Sequence, residues 1–179
     1  MKDLIKKILK EETEEVLVIP SLSFFPDGIE GLKNFIQKKN IKRWSFDDKL
    51  DLGEYKDDLT WLEGLVSISG SLDLGQTQIK SLPNLQSVDR SLDLRHTLIK
   101  SLDNLQSVGD DLNLRETQIE SLPNLQSVGG YLDLAWAKIK SLGNLQSVGG
   151  SLSLNKYLSK KYTNEEIKSM INVGGSIIR

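Results

Sequence analysis

Carboxylates recur at intervals of about twenty residues along this chain, and they are the first groups that could do chemistry. They are Asp51, Asp73, Asp93, Asn113 and Asp133, with an amide in the fourth place. Carboxylate oxygens bind hard cations such as Ca²⁺, and two carboxyl groups roughly 5 to 10 Å apart are what a glycosidase requires. A carboxylate-dependent metal or carbohydrate binder is therefore one alternative for this chain.

The same pattern contains a simpler partner for these carboxylates. Arg95 and Arg115 stand two positions after Asp93 and Asn113, and stacked like charges need an opposite charge to offset them. Asn113 also interrupts the ladder, and nothing in the sequence raises the pKa of one carboxyl above another. We therefore expect a neutralised ladder that holds no metal and no cofactor.

Other catalytic groups are scarce in the sequence. His96 is the only histidine and cysteine is absent, which excludes a thiolate nucleophile, a cysteine-based zinc site and an iron–sulfur cluster. A histidine general base needs an orienting partner and a substrate pocket, so we expect His96 to be a solvated surface residue. The sequence predicts a protein that is not an enzyme.

Charge is nearly balanced, with 23 Lys and Arg against 25 Asp and Glu, and this excludes the strong cationic field of nonspecific nucleic-acid binding. One local run, KKNIKRW, places Lys38, Lys39, Lys42 and Arg43 before Trp44. Such a run can contact phosphate and stack a base, so RNA association is a second alternative. The first residues lack the apolar region of a signal peptide, and we expect a cytoplasmic location.

An internal repeat organises all of these residues. Leucine supplies 30 of the 179 residues. A looser unit at 49–70 precedes the regular ones, and SLSL at 151–154 opens another. Four near-identical units of twenty residues span 71–90, 91–110, 111–130 and 131–150. The predicted repeat array therefore extends over residues 49–154.

The apolar spacing within a unit predicts one short strand and one turn of a coil. Leu92 and Leu94 are two residues apart, so both side chains point to one face of a strand. Gly129 and Gly130 precede the next strand, where a tight turn needs either positive φ or no side chain. A single coil cannot bury its own apolar edge, so we expect neighbouring coils to stack strand on strand.

The units resemble leucine-rich repeats of the short, twenty-residue bacterial kind. The resemblance is carried by Leu82, Pro83, Leu85, Leu92, Leu94, Thr97 and Ile99 and their equivalents one period on. Two features depart from the family: threonine replaces the usual asparagine at Thr77, Thr97 and Thr117, and Val88 stands one position early. The resemblance implies an α/β repeat solenoid with parallel strands on a concave face, and protein recognition as its usual role.

The segment at 1–48 is predicted to be a helical N-terminal cap. Residues 2–15 carry a helical apolar face, VLVIP is extended, and Asp27 precedes a second helix that stops near Asn40. The aromatic residues of this segment are expected to cover the first coil. They are Phe24, Phe25, Trp44 and Phe46.

The segment at 155–179 is predicted to be a C-terminal cap. Thr163 to Met170 reads as a helix in which Thr163 is the N-cap and Glu166 completes a capping box. The closing VGGSIIR echoes VGGSLSL, which predicts a last short strand at 176–178.

Variation among the units is concentrated on one face. NLQSV is identical in all four regular units, whereas the two residues after the strand change from unit to unit. Those pairs are Gly75-Gln76, Arg95-His96, Arg115-Glu116, Ala135-Trp136 and Asn155-Lys156. If the repeats arose by duplication, drift would also have changed the exposed Gln and Ser of NLQSV. The pattern therefore favours a surface tailored to one partner.

The sequence thus predicts a non-enzymatic protein-binding module, an inhibitor or adaptor that grips a larger protein through the concave face. Trp136 and Tyr131 have the composition of an interface hot spot, unless Trp136 packs against the C-terminal cap. The expected contacts are Tyr131, Trp136, Arg95, His96, Arg115, Glu116, Asp93, Asp133 and Lys156. Because small repeat proteins of this kind occur in bacteria and their mobile elements, one concrete form is a phage-type antagonist of a host defence nuclease.

Overall fold

The chain winds into a parallel β-solenoid of about five turns. The computed structural model describes residues 16–53 and 55–179, so the helix predicted at 2–15 lies outside the described residues. Leu92 lies beside Leu72 on one side and Leu112 on the other, which means that twenty residues complete one turn. The predicted stacking of neighbouring coils is therefore confirmed.

Each turn contributes two short strands, one to each of two parallel sheets. The eight-stranded sheet contains, in spatial order, β1 (Leu17–Ile19), β2 (Trp44–Phe46), β4 (Leu65–Ile68), β6 (Ser87–Val88), β8 (Ser107–Val108), β10 (Ser127–Val128), β12 (Ser147–Val148) and β14 (Asn172–Val173). The seven-stranded sheet contains β3 (Leu50–Asp51), β5 (Leu72–Asp73), β7 (Leu92–Asp93), β9 (Leu112–Asn113), β11 (Leu132–Asp133), β13 (Leu152–Ser153) and β15 (Ile177–Ile178). Of the first set, the sequence analysis placed only the extended run that contains β1. The strands within NLQSV were not placed, because two residues carry no recognisable alternation.

Glycines at the corner between the two sheets are required by close packing. A Cβ on Gly129 would overlap the carbonyl oxygen of Gly109, and one on Gly149 would overlap that of Gly129. Among the described residues, the glycines with positive φ are Gly28 and Gly143. Of the two reasons predicted for the paired glycines, the absence of a side chain is therefore the one that applies.

Buried polar groups accompany the leucine core at one position of each coil. The Oγ1 atoms of Thr77, Thr97 and Thr117 donate to the carbonyl oxygens three residues earlier at 2.7 to 2.8 Å. Ala137 occupies this position in the next coil and has no such donor. In three coils this buried position is thus filled by a threonine hydroxyl that bonds within its own turn.

The N-terminal segment packs on the first coil as an extension of the eight-stranded sheet. Helix α1 (Gly28–Lys38) buries Leu32 and Ile36, and Asp27 precedes it without a side-chain capping bond. Trp44 is stacked on Trp61 with ring centroids 5.8 Å apart, and both are buried. Short 3₁₀ turns span Leu22–Phe24 and Thr60–Gly64. The irregular unit at 49–70 is in register with the repeats, since β3 pairs with β5.

Two short helices interrupt the last coil. Helix α2 (Lys156–Lys161) follows directly after β13, and helix α3 (Asn164–Met170) has the predicted capping box between Thr163 and Glu166. The chain then returns to both sheets as β14 and β15, which confirms the last strand. No helix in the described ranges is long and apolar enough to cross a membrane.

Candidate functional site

The carboxylate ladder closes the turn that follows each strand of the seven-stranded sheet. Asp93 Oδ1 accepts a hydrogen bond from the backbone N–H of Arg95 at 2.9 Å. The same bond forms from Asp73 to Gly75 and from Asp133 to Ala135, each at 2.8 Å. Asn113 accepts it through its amide oxygen at 3.1 Å. Because an amide serves as well as a carboxylate, the ladder has a structural role in the turn.

Arginines neutralise the remaining carboxylate oxygens in the middle of the array, as the sequence analysis expected. Arg95 Nε lies 3.4 Å from Asp93 Oδ2, and Arg115 Nη1 lies 4.0 Å from Asp133 Oδ2. Burial raises the pKa of Asp93, and the neighbouring Asp73 contributes in the same direction. Within residues 16–53 and 55–179, no group of three or more His, Cys, Asp or Glu is placed to hold a metal ion.

The residue that ends each of these turns has left-handed backbone geometry. We call these residues the exit-turn column: Gln76, His96, Glu116 and Trp136, with φ between 55° and 62°. This conformation costs a non-glycine residue roughly 1–2 kcal/mol. Residue type gave little indication of it, because only His96 belongs to the residue types that are enriched at positive φ.

Hydrogen bonds between coils hold the first three members of the exit-turn column in place. The backbone N–H of Gln76 donates to the carbonyl oxygen of Arg95 at 2.9 Å, and that of His96 donates to Arg115 at 2.9 Å. Glu116 continues the series with a bond of 3.1 Å to Ala135. The four side chains are exposed, so a rigid backbone presents a row of different side chains to solvent.

Charged side chains in the middle of the column interact with one another. His96 Nδ1 lies 3.1 Å from Glu116 Oε2, and Arg115 Nε lies 3.8 Å from Glu116 Oε1. The three side chains are between 43% and 46% exposed. The structure thus brings together His96, Arg115 and Glu116 as a charge network on an open surface, where it fixes side-chain orientations.

Trp136 is the most prominent member of the column. Its side chain is 72% exposed, whereas Trp44 and Trp61 are buried. The question that the sequence left open is therefore settled, because Trp136 does not pack against the C-terminal helices. Tyr131 is half-buried at the start of β11, at the opposite end of the strand from the exit turn. The structure does not gather these two aromatic residues into one cluster along the strand.

The fourth coil, residues 131–150, breaks the bonding pattern of the earlier coils at several positions. In those coils, Ser71 and Ser91 accept the N–H of the equivalent residue one coil later, both at 3.4 Å. Tyr131 replaces this acceptor, and Ala137 replaces the buried threonine. The sequence shows each exchange, but only the fold shows that they fall on one coil together with Trp136.

Asn155 compensates for the missing threonine from the coil that follows. Its Nδ2 donates to the carbonyl oxygens of Ala137 at 2.9 Å and Ile139 at 2.7 Å. Its Oδ1 accepts the N–H of Leu158 at 2.8 Å and so caps α2. This arrangement places Lys156, which is exposed, beside the turn that carries Trp136.

The basic N-terminal segment lacks the aromatic surface that its sequence suggested. Trp44 is fully buried, so the prediction that it stacks a base is wrong. The reason is that Trp44 belongs to β2 and faces Trp61 in the interior. The cations of this segment are exposed: Lys38, Lys39, Lys42 and Arg43.

Fold and surface together define a class of protein, a parallel β-solenoid that displays variable side chains from a fixed row of turns. Comparisons with protein-family models, curated proteins and solved structures found no match to this chain. The roles of its residues therefore follow from their geometry.

Proposed function

We propose that this chain is a leucine-rich-repeat solenoid that binds a larger protein and acts as an inhibitor or adaptor without catalysing a reaction. Its contact surface is the outward face of the seven-stranded sheet together with the exit-turn column. In this proposal the face is concave, and the terminal helices cap the array. Inhibition and bridging both require only that a partner surface is occupied, which an open and rigid row of side chains can do.

One observation carries the proposal: an exposed tryptophan on a strained backbone. Trp136 combines φ +62° with 72% exposure. An exposed indole adds little to folding, and a glycine would relieve the backbone. Tryptophan is also the residue type most enriched at the centres of protein interfaces. Contact with a partner explains why such a residue stands there.

The identical positions of the repeat strengthen this interpretation. The asparagine of NLQSV donates to a backbone carbonyl of the preceding coil, as from Asn104 to Pro83 at 2.6 Å and from Asn124 to Asp103 at 2.5 Å. Leu105 and Val108 are buried in the core. These residues are identical because the stack needs them, whereas Gln76, His96 and Glu116 of the exit-turn column are held by backbone bonds that do not depend on the side chain.

Affinity capture from the native cell tests the proposal. The tagged protein is compared with Trp136→Ala and with Gln76→Ala, an equivalent substitution in the same column at the same backbone conformation. Circular dichroism establishes that all three are folded. We expect one stoichiometric protein with the parent chain and with Gln76→Ala, and its loss with Trp136→Ala. Identical capture by all three would mean that the column is not the interface.

A further inference from the structure

The coil that carries Trp136 belongs to a stretch with a strong local excess of positive charge. Residues 131–161 contain five lysines and a single acidic residue, Asp133, in a chain whose net charge is −2. Asp133 is only 8% exposed. Its Oδ1 accepts the N–H of Ala135 and its Oδ2 faces Arg115. Asp133 therefore does not form an ion pair with any of the five lysines.

Two of these lysines flank Trp136 directly. Lys138 is separated from it by Ala137 alone, and Lys156 follows Asn155, whose side chain donates to the carbonyl oxygen of Ala137. Both lysines are exposed, and neither forms an ion pair with any residue in the described part of the chain. Trp136 is thus an exposed apolar residue with exposed lysines on its own coil and on the next. Glu120, whose pKa is lowered mainly by its hydrogen bond to Lys140, is also influenced by the charge of Lys138.

The neighbouring coils treat charge differently. Glu116 has His96 and Arg115 as partners, and Lys140 forms an ion pair with Glu120 at 2.7 Å. Acidic residues of the preceding coil thus pair with His96, Arg115 and Lys140, whereas Lys138 and Lys156 have no ion-pair partner among the described residues. An interface that is complementary in charge would supply the missing partner.

We propose that the partner presents an acidic protein segment to this surface, with an apolar side chain packed on Trp136 and carboxylates facing Lys138 and Lys156. The proposal rests on the proposed function, since it names the chemistry of the partner of the same site. A protein fits better than a single-stranded nucleic acid, which needs several free aromatic rings for successive bases. Tyr157, the exposed aromatic residue of the next coil, already has Lys161 over its ring, with Nζ 5.7 Å from the centroid.

Trp136 provides its own signal for the test. Because the other two tryptophans are buried, acrylamide quenching and the red edge of the emission spectrum report on Trp136. The probe is a synthetic peptide without tryptophan in which glutamates flank a central leucine. A peptide with lysines in place of the glutamates and a thymidine oligonucleotide are the comparison probes.

We expect the glutamate peptide to shift the emission to the blue and to protect Trp136 from acrylamide in a saturable, salt-sensitive manner. The double variant Lys138→Glu with Lys156→Glu should weaken this binding by about tenfold or more. The matched control is Lys80→Glu with Lys100→Glu, which changes the net charge equally at exposed lysines of earlier coils. The control should bind as the parent does.

Three results would overturn the acidic-partner proposal: no saturable response to the glutamate peptide, equal weakening in both double variants, or tighter binding of the oligonucleotide. Affinity capture separates this failure from failure of the proposed function. A partner lost with Trp136→Ala but retained by Lys138→Glu with Lys156→Glu would overturn the acidic chemistry alone. A partner retained by both variants would overturn both proposals.

Discussion

The second and third coils have the same backbone arrangement as the fourth coil, but their outward side chains make different contacts. In the earlier coils, Asp93 pairs with Arg95 and His96 pairs with Glu116. In the fourth coil, Trp136 faces solvent and Lys138 has no ion-pair partner among the described residues. Charges that are paired within the protein are not available to a partner, whereas an unpaired cation on the same coil as an exposed indole can contribute to binding. This difference is the reason that the proposed binding site is centred on the fourth coil.

The same comparison explains which positions of the repeat are free to change. Corner glycines, core leucines and the asparagine of NLQSV each bond to or pack against the coil before them. Gln76, His96 and Glu116 of the exit-turn column are held by backbone hydrogen bonds to the next coil, so their side chains can vary. The positions that hold the stack together are therefore distinct from those that vary within one twenty-residue unit.

The largest effect should come from breaking the close contact shared by all coils. Gly129→Ala places a methyl group against the carbonyl oxygen of Gly109, and we expect a loss of about 3 kcal/mol in the free energy of unfolding. Urea denaturation measures it. Asp89 occupies the equivalent position one coil before Gly109 and already has a Cβ. Asp89→Ala should therefore change the free energy of unfolding by less than about 0.5 kcal/mol. Equal effects would show that the coils are not tightly stacked there.

A second test addresses the buried polar groups that distinguish the fourth coil. Asn155→Ala removes two donated bonds and the cap of α2, and we expect a loss of about 3 kcal/mol. Thr97→Ala imitates the natural Ala137 and removes one bond within its own turn, so about 1 kcal/mol should be lost. Thermal unfolding compares the two. If the losses are equal, Asn155 does not compensate for Ala137.

The third prediction separates stability from binding at the exit-turn column. Trp136→Gly removes the strain of a bulky residue at φ +62°, and the free energy of unfolding should stay the same or rise by about 1 kcal/mol. Capture of the partner should nevertheless be lost. Gln76→Gly should gain stability similarly and keep the partner. A large loss of stability in Trp136→Gly would instead indicate that the indole has a structural role.

The smallest effect should come from the carboxylate ladder. Burial raises the pKa of Asp93 in the folded protein above its value in the unfolded chain. The resulting contribution to stability is complete below the unfolded pKa and is lost as pH rises through the folded pKa. Asp93→Asn keeps the turn acceptor, as Asn113 does, and lacks this pH-dependent term. At neutral pH the variant should be equal or more stable by at most about 0.5 kcal/mol. The difference in the free energy of unfolding between the variant and the wild type should disappear below about pH 4. A difference that grows at low pH would contradict the assigned direction of the pKa shift.

Much of the fold was predictable because it depends on local pattern and repetition. The period of twenty, the inward leucines of each strand and the capping box at Thr163 all follow from spacing and are confirmed. The second sheet was not predictable, because Ser107 and Val108 acquire strand character only through parallel neighbours on both sides. Packing of Trp44 on the first coil was expected, but its stacking on Trp61 was not, because the two residues are distant in the chain.

The candidate site was predictable in composition but not in geometry. Variation between units identified the residues at 76, 96, 116 and 136, and their spacing after a strand placed them on one face. Their positive φ and the exposure of Trp136 were not available from residue type. Pairing between His96 and Glu116 likewise required the two coils to be stacked in register.

By itself the sequence determined the length of a coil, the side chains that fill its interior and the positions that vary, because each of these depends on order along the chain. Only the tertiary structure decided which charges are paired, which glycines are indispensable and which tryptophan faces solvent. Those properties depend on atoms one coil away, about twenty residues distant in sequence but roughly 5 Å away in space.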